Sequence, residues 1–68
     1  MPAQVGQLLK GFCDGFFGRD SHSDKRIEAI GLDWLVARNM EFDKPELATF
    51  HNAANLEMWV ARWTKEQE

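Results

Sequence analysis

The sequence predicts a small single α+β domain over residues 1–68: an N-terminal helix, a two- or three-stranded antiparallel meander and a C-terminal helix. Three observations predict it. Apolar residues recur at helical spacing near both ends of the chain, as Val5, Leu8, Leu9, Phe12, Cys13 and Phe16, and as Leu56, Trp59, Val60 and Trp63. Between them, Ile27 and Ala29 alternate with Arg26 and Glu28, the period of a strand with one wet face. Gly31-Leu32-Asp33 then separates that run from Trp34-Leu35-Val36-Ala37-Arg38 at hairpin length.

The first element is expected as a helix over residues 2–17. Pro2 suits a first helical turn, where its missing N–H is an orphan position anyway. Gly6, Gly11 and Gly15 weaken this helix, which must therefore rely on packing, and Gly18 is placed to end it in the left-handed conformation. A membrane-surface helix fits less well than a core-facing one, because Lys10 is the only cation on the polar side.

Arg19 to Asp24 is a polar loop in which Asp20, His22 and Asp24 alternate. A calcium loop needs glycine at its sixth position and glutamate at its twelfth. Counted from Asp20, those positions hold Lys25 and Gly31, so the pattern fails twice.

Residues 24–39 admit two readings. As a helix, Ile27, Ile30, Trp34 and Leu35 share a face, with Gly31 inside at a cost of about 1 kcal/mol relative to Ala. As a meander, residues 26–30 and 34–38 are strands and Gly31 is free to take positive φ in the turn. The words GFFGRDS, DKRIEAIG and DWLVAR, within residues 8–38, resemble small uncharacterised proteins of actinobacteriophages, the phages of mycobacteria and their relatives. The resemblance implies a hairpin between the two runs and a phage source, but no chemistry.

Asn39 and Glu41 to Pro45 read as a turn or loop. Residues 47–50 form an expected third strand, with Pro45 ahead of it tolerated on an edge. Residues 52–68 are the expected C-terminal helix, capped by Asn52 or Asn55.

Composition narrows function. The 68 residues carry 8 Lys and Arg against 11 Asp and Glu, a net charge of −3, with no basic tract to hold phosphates without sequence preference. A hydrophobic content of 44%, including five Phe and three Trp, exceeds that of a disordered chain. No apolar run approaches the roughly 18 residues of a membrane span. The start lacks the basic and apolar regions of a signal peptide. Cys13 is the only cysteine, which fits a reducing cytoplasm, the host's if the chain is phage-encoded. Cys13 sits on an apolar stripe, no nucleophile elbow or phosphate-binding glycine loop is present, and no carboxylate pair has an apolar setting. The chain is therefore expected not to be an enzyme, with no catalytic residue, metal or cofactor.

The function expected is a small protein-interaction module that binds a host or phage protein. Its alternatives are a nucleic-acid-associated regulatory protein and a self-assembling structural protein. A chain this short buries only about 60% of its unfolded surface, so a two-fold homodimer is also expected. The expected contact surface is Met58, Arg62 and Trp63 on the last helix, where Met58 and Arg62 are one turn apart and Trp63, at the end of the stripe and nearer the helix end, lies at the border of core and surface. The alternative site is the loop carrying Arg19, Asp20, His22, Asp24 and Arg26.

Overall fold

Three glycines decide the N-terminal segment. Gly6, Gly11 and Gly15 have φ of 93°, 58° and 75°, values that a right-handed helix cannot contain. The expected N-terminal helix is therefore absent, and an extended segment with tight turns takes its place. The computed structural model describes residues 3–11, 13, 15–17 and 23–65. Within them the order is β1 (Leu8–Leu9), β2 (Lys25–Ile30), β3 (Trp34–Asn39), β4 (Lys44–Thr49) and α1 (Ala53–Lys65). The strands form one antiparallel sheet in the order β1-β2-β3-β4. The described residues thus form a small α+β domain with four strands and one helix, rather than a meander between two helices.

Strand β1 enters through a bulge. The Gly6 N–H donates to Ile27 O at 2.8 Å, and the Ile27 N–H donates to Gln7 O at 3.0 Å, so two residues oppose one. Glycine in the left-handed region is what this kind of bulge requires. A second bulge lies in β2, where Ile27 pairs with Ala37 but Ala29 pairs with Val36, leaving Glu28 as the extra residue. It turns Ala29 to the outer face beside Val36 and brings Ile30 inward beside Leu35. The helix-like spacing of Ile27 and Ile30 therefore arises from a bulged strand, since both face the core.

The two hairpins close differently. Gly31 N–H donates to Trp34 O at 2.8 Å, leaving Leu32-Asp33 as the tip. Gly31 is not in the left-handed region; a Cβ there would lie 2.1 Å from the Trp34 Nε1, so a side chain at 31 would displace the partly exposed indole. In the second hairpin, Asn39 Oδ1 accepts from the N–H groups of Glu41 at 2.9 Å and Phe42 at 3.1 Å. Asp43 completes the loop at φ 55°, a conformation Asp tolerates better than most residues. Strand β4 begins at Lys44, earlier than residue 47, with Pro45 inside it. On an edge strand Pro45 breaks no ladder bond if its nitrogen faces away from β3, as the register requires.

Helix α1 is capped by Asn52, whose Oδ1 accepts the Asn55 N–H at 2.8 Å. The core lies between α1, the segment ending in Phe17, and one face of the sheet. Leu9, Ile27, Leu35, Ala37 and Ala48 meet Cys13, Phe17, Phe50, Leu56, Val60 and Trp63 there. Phe16 stacks on Phe50 at 4.9 Å and meets the Trp63 ring edge-on at 5.4 Å. The first strand is tied to the helix by Ala3 N–H donating to Glu57 Oε1 at 2.7 Å and Gln7 Nε2 donating to Thr64 Oγ1 at 2.6 Å.

Candidate protein-interaction surface

All the core residues of the sheet lie on the face towards α1. The other face carries its own side chains. In β3, Trp34, Val36 and Arg38 point away from the core residues Leu35, Ala37 and Asn39. The register sets Trp34 beside Thr49, Val36 beside Leu47 and Ala29, and Arg38 beside Arg26 and Pro45. Half of this face is therefore apolar, formed by Ala29, Trp34, Val36 and Leu47, with Leu47 57% exposed at the edge. Trp34 lies over the backbone of Gly31, which orients its indole.

The other half is charged and internally paired. Arg38 Nε donates to Glu28 Oε2 at 2.6 Å, and Arg38 Nη1 donates to Asp43 O at 2.9 Å. The Glu28 carboxylate raises the Arg38 pKa above its ordinary value. Glu28 is the extra residue of the β2 bulge, so this ion pair lies where the two halves of the face meet.

At the end of the sheet near Asn39 lies a buried polar cluster. Lys25 is 1% exposed; its Nζ donates to Ser23 O at 2.9 Å and stands 5.4 Å from the centre of the Phe17 ring. Ser23 Oγ donates to Glu41 Oε1. These bonds join the β2 start to the β3–β4 loop, and the Lys25 stem fills the core beside Leu9.

Met58 is exposed, and the exposed Arg62 guanidinium lies 5.1 Å from the centre of the Trp59 ring. Trp63 does not border the surface: it is 0% exposed, enclosed by Phe16, Phe17, Phe50 and Trp59. Its indole therefore offers nothing to a partner, and the helix surface loses its expected anchor. Of the alternative loop site, Arg19, Asp20 and His22 lie outside the described residues. Asp24 accepts from Gly11 N–H at 3.1 Å and pairs with Lys10 Nζ at 3.3 Å; the Gly11 bond, then Lys10, lowers its pKa. Arg26 is exposed on the face of the sheet away from α1. Among the described residues, no group of three or more His, Cys, Asp or Glu is placed to hold a metal. Nor is any helix among them long and apolar enough to cross a membrane.

Sequence reasoning missed the helix-free face, although a signal for it existed. Trp34-Leu35-Val36-Ala37 is apolar at both parities, the mark of a strand that buries both faces. The one described helix covers one face only, so among the described residues the second apolar set remains at the surface. Compared with protein-family models, curated proteins and solved structures, the chain shows no match.

Proposed function

We propose that the protein is a small interaction module that docks a protein partner on the helix-free face of its sheet. The observation that carries this reading is the strip of Ala29, Trp34, Val36 and Leu47 on the side away from α1. An apolar strip beside paired charges has the layout of an interface core with a polar rim. Trp34, oriented by Gly31, supplies area with little entropy to lose. The resemblance to actinobacteriophage proteins supports a partner in the infected host or in the phage. The lone buried thiol of Cys13 suits the cytoplasm as the place of action.

The test is capture of partner from host lysate by wild type, by Val36→Lys and by Met58→Ala with Arg62→Ala, at low and high salt. Wild type and the helix variant should retain the same partner at high salt. Val36→Lys, still folded by circular dichroism, should lose at least about tenfold in affinity. Loss in the helix variant alone would move the site to α1. Capture that falls steeply with salt would indicate phosphate contacts instead.

A further inference from the structure

Strand β4 is an edge of the sheet, and its register determines which backbone groups face outwards. Phe50 N–H donates to Asp33 O at 2.8 Å, continuing the register in which Trp34 opposes Thr49. Bonded and non-bonded pairs alternate along an antiparallel ladder. Glu46 and Ala48 therefore turn their N–H and C=O towards β3, while Leu47 and Thr49 turn theirs to the open edge. No described residue bonds to those outward groups. Such an edge templates another strand unless it is blocked. Pro45 blocks only one end, since it can accept there but not donate.

A second observation says what the added strand should carry. Glu46 Oε1 is buried and has no hydrogen-bond partner among the described residues. Glu46 opposes Ala37, so its side chain is on the core side of the same edge. A strand added along β4 sets one of its residues directly opposite Glu46, with Cβ atoms about 5 Å apart. A lysine or arginine there would supply the missing donor, and rotation about the last torsion of Glu46 lets either oxygen accept it. The neighbouring residues of that strand, at alternate parity, would lie beside Leu47 and prolong the apolar strip.

We infer that β4 accepts an extended peptide of a partner protein as a fifth strand, with a basic residue opposite Glu46 and apolar residues beside Leu47. The inference rests on the interaction-module reading and specifies its partner. A second copy of this chain fits the edge poorly. Antiparallel self-pairings that bond Leu47 to Leu47, or Leu47 to Thr49, put Ala48 or Phe50 opposite Glu46. The pairing that brings Lys44 opposite Glu46 sets Pro45 against Pro45, where no N–H exists. The partner's charge sign also agrees with a chain whose net charge is −3.

The experiment titrates the isotope-labelled protein with an octapeptide of alternating valine and lysine, and with its valine–glutamate counterpart. The lysine peptide should bind, shifting the Leu47 and Thr49 amides and protecting them from exchange. Glu46→Gln should weaken it by about fivefold, the upper range for a cross-strand charge pair, and erase the preference for lysine over glutamate. Thr49→Pro removes an outward donor and should abolish binding while the β3–β4 ladder persists; if that variant does not fold, Glu46→Gln decides. No protection at Leu47 and Thr49, or equal binding of both peptides, overturns strand addition. Protection that rises with protein concentration in the absence of peptide overturns it in favour of a second copy. Neither result touches the parent reading, which stands or falls on lysate capture by Val36→Lys. Peptide protection alongside capture that survives Val36→Lys would keep the strand and remove the face.

Discussion

The two faces of the sheet are built from similar side chains and put to different use. On one, Leu35, Ala37 and Ala48 are sealed under α1 and the Phe16–Phe17 turn. On the other, Trp34, Val36 and Leu47 stand one residue away along the same strands with no helix above them among the described residues. Adjacent residues of one strand thus serve folding and surface chemistry in turn. Burial, rather than residue type, separates core from candidate interface here.

The largest expected effect is at the centre of the covered face. Trp63→Ala should cost about 3–5 kcal/mol, the range for removing a buried aromatic. A chain of this size has about 3–10 kcal/mol to lose. The variant should therefore lose about a third or more of its stability and melt far below wild type by near-ultraviolet circular dichroism. A cooperative melt close to that of wild type would show that the aromatic cluster does not organise the core.

A direct comparison of the faces comes next. Leu35 is 0% exposed and Leu47 is 57% exposed, and they sit on paired strands one register position apart. Leu35→Ala should cost about 3 kcal/mol and Leu47→Ala less than about 0.5 kcal/mol in urea unfolding. Equal costs would mean that something covers the open face in solution, such as a second copy. A concentration series of the same melts would then identify it.

How much of this was legible follows from the same contrast. The C-terminal helix was readable because Leu56, Val60 and Trp63 all face one core. Strands β2 and β3 were readable from alternation at Arg26 to Glu28 and from the hairpin at Gly31. The first element was misread because Leu8, Leu9 and Cys13 mimic a helical stripe, while positive φ at Gly6, Gly11 and Gly15 is invisible in apolar spacing. The N-terminal part of β4 was hidden by Pro45, a breaker by type that an edge position tolerates. The surface was harder. Its nearness to the helix end places Trp63 at the border of core and surface, yet Phe16 and Phe17 close over it, a long-range contact with no local signal. Glu46 gives no sequence hint of its orphaned oxygen, because that depends on which side of an edge it takes.

Lys25 sharpens the comparison at the polar end of the covered face. Its stem is as buried as Ile27, and its ammonium is held by Ser23 O and the Phe17 ring. If packing of the stem dominates, Lys25→Ala should cost about 2 kcal/mol while Lys25→Met recovers most of that. The reading predicts recovery, measured by thermal unfolding. A methionine variant as unstable as the alanine one would assign the stability to the charge and its bond.

The smallest effect concerns Asp24, next to Lys25 but turned outwards. Its carboxylate accepts the Gly11 N–H and pairs with Lys10, and both lower its pKa below the ordinary 3.8. A carboxyl whose folded pKa is depressed adds stability that is complete above its unfolded pKa. That stability is lost as pH falls through the lower folded value. The side chains of Lys10 and Asp24 are 43% and 40% exposed, so solvent screening keeps the contribution small. Asp24→Asn keeps an oxygen for Gly11 but removes the charge. The melting-temperature gap between wild type and this variant should be present at neutral pH, shrink with added salt, and close as pH drops from about 5 to below 3. Other carboxylates titrate in both proteins and cancel from the gap. Equal melting temperatures at every pH would place the role of Asp24 in the Gly11 bond, which Asn retains, so that the turn into β2 would depend on hydrogen-bond geometry alone.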